Sequence, residues 1–420
     1  MTNPFARIGT ANAYDNALRN LTSRQNAMVN LQGQMSANKT VSRGSDDPTA
    51  AARIERSTTR LAQIETQQRA LAAQRNTIAA AEGTLGNVNA SLQDFRDKVV
   101  AAGNGSYSAT DRASLVQDLT SMRDQILAYA NQTDSNGQPL FSGLGSASPP
   151  FADGSPVAFN GLAGQPGSAG NLIAPTIDGQ AAFMNVPSGN GTFAIDLPRA
   201  ADGTVSNTGT AWADLGKVTS PGAVTGHQYA VTFTVDPTTK ATTYSVTDTT
   251  DPTRAGPPAL PALPTNVAYT AGSAIAFDGQ SFVVKGAPAN GDSMTVAPSQ
   301  TRSIFQVMDQ AISDIGKAGA NVGAIAHAVA QSLGQLDAGA NRVSSSRGYA
   351  GELLNRADRI DEAQQTRSVQ VTSDLAMAEG SDQNSQVQRI SDFQNQQTNY
   401  SAALQSYAQI QKLSLFNYIG

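Results

Sequence analysis

Apolar positions recur every seven residues along both ends of the chain and alternate with polar ones in its middle. Near the N-terminus Tyr14, Leu21, Met28 and Met35 are spaced by seven, Leu18 and Leu31 fill the intermediate stripe, and Gln25 and Gln32 interrupt it. A narrow seam with a polar back predicts a helix of the coiled-coil kind over residues 12–37. Thr40-Val-Ser-Arg-Gly44-Ser-Asp-Asp47-Pro48 then stops it. Gly44 suits a chain reversal, Asp47 is a good N-cap, and Pro48 falls at the first helical position, where its missing N–H does little harm. Ile64, Leu71, Ile78, Leu85, Leu92 and Val99 make the strongest run, widened by Leu61, Val88 and Phe95. Gly83 and Gly86 weaken that helix by roughly 1 kcal/mol each relative to Ala. It is predicted to end at Gly103-Asn-Gly105. A third helix starts after Ser108 or Thr110, carries Leu115, Leu119, Met122, Ile126 and Tyr129, and ends before Asn136-Gly137.

Of the 19 prolines, 16 lie between residues 141 and 300, so the chain divides into helix, insert and helix. The insert has no glutamate and holds Asn-Gly or Asp-Gly pairs at 153, 160, 178, 190, 202, 278 and 290, dipeptides that suit two-residue hairpin turns. Tyr229, Val231, Phe233 and Val235 alternate with polar or small residues, and Thr243 to Thr247 return after Asp236-Pro-Thr-Thr. Ala274 to Phe277, Asp278-Gly279 and Ser281 to Val284 read as a second hairpin. The insert is therefore β-structured, with the proline-rich stretch 252–264 as a place where it would split in two. Helix resumes at Ser303 with Ile304, Val307, Met308, Ala311 and Ile315. A long helix follows through Val322, Ile325, Val329, Leu333, Leu336 and Val343 and on past Gly348 and Gly351 to Val371. Glu379-Gly-Ser-Asp382 breaks it, and a last helix carries Val387, Ile390, Phe393, Tyr400, Leu404, Tyr407, Ile410 and Leu413.

Neither terminal seam can bury itself, and isolated helices are marginal in water. Pairing with each other, or with neighbouring copies, brings the chain ends together and loops the insert out. The expected fold is thus mainly α with a β insert, the long terminal helices forming a coiled-coil rod. Its parts are an N-terminal assembly helix (1–45), the helical rod (46–140 and 301–380), an outward β domain (141–300) and a C-terminal assembly helix (381–420). Tyr14, Leu18, Leu21, Met28, Met35, Val387, Ile390, Leu404, Tyr407, Ile410 and Leu413 are the candidate assembly residues, with Asp47 and Pro48 as helix start.

Composition narrows the function by exclusion. Charged residues are 15% and the net charge is -5, which gives no basic footprint for nucleic acid or an anionic membrane surface. Aromatics are 6%, with Trp212 the single tryptophan, which disfavours a large aromatic-lined pocket. With no cysteine there is no disulfide, thiolate metal site or cysteine nucleophile. The first ten residues lack an apolar core and no stretch reaches roughly 18 apolar residues, so neither a cleaved signal nor a membrane span is expected. Taken alone, this favours the cytoplasm. His227 begins a strand-like run and His327 lies on an Ala-rich helix, and each reads as an ordinary surface or interface residue. Zinc, phosphate-loop and nucleophile-elbow motifs are missing. Asp46-Asp47 is better explained by capping than by metal binding. Asp358, Asp361 and Glu362, interleaved with Arg356 and Arg359, read as a solvated helix face. No enzyme activity, cofactor or metal is expected.

Several segments resemble the flagellin-like family of flagellar axial proteins. Ser45-Asp-Asp-Pro48 is similar to the end of that family's first helix, and its proline is closer to the hook-filament junction proteins than to flagellins. Asn131-Gln-Thr-Asp-Ser-Asn-Gly-Gln-Pro-Leu-Phe-Ser-Gly143 resembles the exit from the helical domain, and Val284 to Pro298 a segment of the β domains. Leu353 to Asp361 and Leu413-Ser-Leu-Phe416 resemble the junction proteins' last helices. The resemblance covers both helical flanks and is weak across 145–270. It implies uncleaved export through the flagellar type III apparatus with a dedicated chaperone, and termini that order on assembly. It also implies a ring of subunits between the first junction protein and flagellin or the filament cap, with no nucleic acid, membrane or small-molecule substrate as partner. The alternatives are flagellin itself and, from another class, a coiled-coil secreted protein or cytoplasmic scaffold.

Overall fold

The structure, a computed structural model, describes residues 4–104, 107–168, 170–254, 261–319 and 321–419. Helices form both flanks: α1 (Pro4–Ala37), α2 (Pro48–Ala102) and α3 (Ala109–Ala130) before the insert. The insert holds β1 (Phe151–Ala152), β2 (Ala158–Phe159), α4 (Gly179–Phe183), β3 (Val186–Pro187), β4 (Phe193–Asp196), β5 (Trp212–Ala213), β6 (Lys217–Val218) and β7 (Tyr229–Val235). It continues with β8 (Thr242–Asp248), β9 (Val267–Ala268), β10 (Ala274–Phe277), β11 (Gln280–Lys285), β12 (Ser293–Pro298) and β13 (Thr301–Arg302). Then come α5 (Ile304–Lys317), α6 (Val322–Glu379) and α7 (Gln383–Ile419). The mainly α fold with a β insert is as the pattern implies, with boundary differences. α1 begins eight residues before the seam made it legible, and Gly105 lies outside the described residues. α1 is left through Asn38, at φ 52°, and Gly44 lies in the turn that follows, closed by Asp46 N–H donating to the Arg43 carbonyl at 3.0 Å.

The chain forms two compact units, residues 1–70 with 359–420, and residues 71–358. In the second, the heptad of α2 is buried from Leu71 to Val99. Four positions also spaced by seven, each four residues after a buried one, tie α2 to α6 running the other way. Arg75 meets Asp358 at 2.9 Å, Glu82 meets Arg347 at 2.6 Å, Asn89 donates to Ser344 at 3.1 Å, and Arg96 meets Asp337 at 3.0 Å. Exposed pairs of this kind add about 0–1 kcal/mol each, so their use is to set register and not to supply stability. Ser108 caps α3 in a capping box with Asp111, and Ser303 caps α5 with Gln306. Beside these two helices Phe141, Phe151, Phe183 and Phe305 form an aromatic nest, with Phe183 edge-on to Phe141 at 5.4 Å and to Phe151 at 5.3 Å.

The insert does not split at 252–264. A five-stranded antiparallel sheet (β4-β12-β7-β8-β9) and a four-stranded one (β10-β11, with β5 and β6 on β11) share a single core. Tyr229, Val231, Phe233 and Val246 lie in it with Ile275, Phe282, Val284 and Met294, strands from both sides of the proline-rich stretch. Leu263, from the stretch itself, packs on that core. Of the Asn-Gly and Asp-Gly pairs, Asp278-Gly279 makes the two-residue hairpin, both at positive φ (42° and 73°), between Phe277 and Gln280. Asp178 instead caps α4.

His327 is a correction to the surface reading. It is 5% exposed, with Nε2 3.1 Å from the Ile195 carbonyl and Nδ1 3.3 Å from that of Ala213, and the one N–H of the neutral ring can donate to either, tying α6 to β4 or β5. Burial lowers its pKa below the ordinary 6.5, against the opposing pull of Asp196 and the two carbonyls. The folded protein thus excludes a proton that the unfolded chain accepts below about pH 6.5. Stability is full above that pH and falls as the pH drops below it towards the lowered folded pKa, the slope approaching about 1.4 kcal/mol per pH unit. Urea unfolding at pH 7, 6 and 5 is expected to show this slope in the parent and to lack it in His327→Gln, which keeps a donor but cannot titrate.

Candidate assembly surface

The unit of residues 1–70 and 359–420 is built on α1 and α7. They run antiparallel: Tyr14 meets Tyr407 with hydroxyls 2.8 Å apart and rings 5.5 Å between centroids, while Thr40 at the other end meets Gly380 and Arg389. The Tyr14 hydroxyl raises the Tyr407 pKa by hydrogen bonding to its neutral form. Half-buried positions on α1 include Ala17, Leu21, Arg24, Met28, Leu31 and Gln34, with Ala27 beside Met28; on α7 they include Phe393, Gln396, Tyr400, Ala403 and Tyr407, after Ser385, Gln386 and the buried Arg389 near its start. Both sets step by three and four, which is the facing seam of two helices.

This seam divides the candidate assembly residues. Leu21, Met28 and Tyr407 point into the pair. Leu18, Met35, Val387, Ile390 and Leu404 stay exposed, with Leu18 at 47%, Val387 at 62% and Leu404 at 43%, and Tyr14 spans the edge. The side chains of Ile410 and Leu413 lie outside the described residues. The pair therefore buries about half of its apolar stripe and presents the rest to solvent.

The root of the pair is a polar corner that the sequence did not reveal. α6 ends at Gly380 (φ 67°), with Ser381 N–H donating to the Ala376 carbonyl and Gly380 N–H to that of Met377. The N–H groups of Thr40 and Val41 donate to the Glu379 carbonyl at 2.8 and 3.3 Å, and Lys39 pairs with the Glu379 carboxylate at 2.7 Å. Arg389 closes the corner, donating to the Gly380 carbonyl, to Thr40 Oγ1 at 2.9 Å and to Asn38 Oδ1 at 3.0 Å. Next to it, Asp46 accepts from the N–H groups of Ser42 and Arg43. α2 opens at Pro48, where Asp47 Oδ1 accepts from the N–H groups of Ala50 at 3.0 Å and Thr49 at 2.9 Å. Those bonds, led by Ala50, hold the Asp47 carboxyl below its usual value.

Among the described residues no group of three or more His, Cys, Asp or Glu is placed to hold a metal, and no helix is long and apolar enough to cross a membrane. What this unit presents is an exposed apolar stripe with Leu18, Val387, Ile390 and Leu404 in it.

Residues 8–146 match the bacterial flagellin N-terminal helical region, which gives the class. The flagellar hook-associated protein 3 of Salmonella typhimurium is 38% identical over 147 residues, 34% of this chain and 46% of that protein. The crystal structure of the flagellar junction protein FlgL from Legionella pneumophila is 32% identical with a TM-score of 0.63, covering 73% of this chain and 99% of that one. That of the flagellar hook-associated protein-3 from the same organism is 30% identical with a TM-score of 0.66, over 77% and 98%. The chain belongs to the flagellar hook-associated protein 3, or FlgL, family. It spans about half the length of the curated relatives it matches.

Proposed function

We propose that this chain is a structural subunit of the bacterial flagellum that forms a ring at the junction of hook and filament. There it adapts a flexible hook to a stiffer filament. The observation that carries the reading is the half-covered apolar stripe of α1 and α7, which leaves Leu18, Val387, Ile390 and Leu404 in water. Groups of this kind are satisfied by neighbouring copies, and head-to-tail contacts between identical chains generate rings or tubes, not closed dimers. On this reading the protein is extracellular and reaches its place through the flagellar export apparatus with a chaperone. Its neighbours are its own copies, the first junction protein on the hook side, and flagellin or the filament cap beyond.

The test is a clean gene deletion, with electron microscopy of the cells and a flagellin assay of the medium. Bare hooks, lost motility and flagellin monomers in the medium are expected. Missing filaments with no flagellin in cells or medium would make this chain the flagellin. Intact motile filaments would remove the junction role.

A further inference from the structure

The unit of residues 1–70 and 359–420 carries 13 Lys and Arg against 11 Asp and Glu, a net of +2, whereas residues 71–358 carry 15 against 22, a net of -7. The excess is localised. Arg53, Arg56 and Arg60 step by three and four along one exposed face of α2 and line a groove of about 470 Å³, whose other wall is Asp374 and the exposed Met377 of α6. None of the three guanidiniums makes an ion pair or hydrogen bond among the described residues, and Asp374 is engaged by the Gln370 amide at 3.0 Å. Like charges at this spacing cost a helix about 0.2–0.5 kcal/mol per pair, a cost reduced by Asp374 across the groove and by Asp47, whose carboxylate feels the charge of Arg53.

The complementary pattern occurs further along the same helix. Asp94 and Asp97 are exposed, three residues apart and free of ion pairs among the described residues, with the exposed Val100 one step further. We propose that the Arg53–Arg56–Arg60 groove of one copy receives the Asp94–Asp97 face of a second copy, Met377 and Val100 meeting between the charges. The contact is heterologous, because each copy has both halves in different places, so each copy uses one half toward each neighbour. Opposite charges brought together in this way set register and suppress wrong pairings more than they add affinity. The inference rests on the ring reading and names the surfaces that the copies use.

Two experiments test it on flagella isolated from cells. Reversing Arg53 and Arg56 to Glu, or Asp94 and Asp97 to Arg, is expected to lower the amount of this chain in the flagellar fraction by about tenfold, and combining the four changes to restore it. The chain has no cysteine, so Arg56→Cys with Asp97→Cys introduces the only thiols. A short bis-maleimide is expected to give dimers and longer ladders from that double variant and monomer from either single one. Unchanged incorporation of the reversed variants, loss without rescue, or no cross-link in incorporated double-cysteine protein would each overturn the contact. Absence of the parent chain from the flagellar fraction would instead overturn the ring reading beneath it.

Discussion

Leu18→Asp combined with Leu404→Asp is expected to abolish incorporation into the flagellum while leaving the chain folded. The two leucines are 47% and 43% exposed in the single chain, so the substitutions there are surface changes, which commonly stay within about 0.5 kcal/mol of neutral. Each leucine is already about half covered, so an assembly that covers the rest gains about 0.7–1.5 kcal/mol from each and about 1.5–3 kcal/mol from the pair, roughly ten- to hundredfold in association. The carboxylates add a desolvation cost on top of that loss. Leu21 is the wrong residue for this test, although it lies in the same heptad as Tyr14 and Met28. It points into the α1–α7 pair, so an aspartate there would disturb the pair itself. Circular dichroism and urea unfolding of the purified variant should match the parent, and immunogold counts on flagella should fall to background. Normal incorporation would mean that the exposed stripe is not the assembly surface.

The contrast between Leu18 and Leu21 also shows what was legible in the sequence. Six heptad positions from Ile64 to Val99 announce a buried helix because a spacing of seven keeps one narrow face in register with a partner. The Asp278-Gly279 hairpin is equally plain, since both residues must adopt positive φ and few others do so cheaply. The terminal stripes were legible as apolar, but the stripe is wider than the seam. Tyr14, Leu18 and Leu21, at i, i+4 and i+7, share one helix face, and only the placement of α7 decides which of them turns furthest inward. The spacing of Arg75, Glu82, Asn89 and Arg96 was present in the sequence as a second heptad. Its polar members carry no hydrophobic signal, so it becomes visible only when Asp358, Arg347, Ser344 and Asp337 are opposite. His327 looked like a surface residue on an alanine-rich helix because the carbonyls that enclose it come from residues 195 and 213. The same holds for the insert's shared core, since nothing in the spacing of 252–264 reports that Leu263 folds back onto it.

Arg389→Ala is expected to release the root of the terminal helix pair. Arg389 is a buried guanidinium 5% exposed, and its three acceptors come from two places in the chain, Asn38 and Thr40 after α1 and Gly380 after α6. Hydrogen bonds to a charged donor contribute about 1.5–3 kcal/mol each; after truncation the exposed Asn38 and Thr40 can turn to water but the buried Gly380 carbonyl cannot, so a local loss of about 3 kcal/mol follows. Arg389→Lys should recover only part of this, because a single ammonium on a flexible stem cannot serve three divergent acceptors as the planar fork does. Gly380→Ala attacks the corner from the other side. Its φ of 67° is strained for any residue with a side chain, and the added Cβ would sit 2.3 Å from Thr40 Oγ1. Hydrogen exchange of the purified chain reads the outcome. Amides in the last turns of α1 and the first turns of α7 should lose about a hundredfold in protection in Arg389→Ala, while those of β7 and β11 keep theirs. Protection unchanged at the corner would mean that the apolar seam alone holds α1 to α7. A uniform loss reaching β7 and β11 would mean that the corner belongs to the global fold and not to the terminal pair.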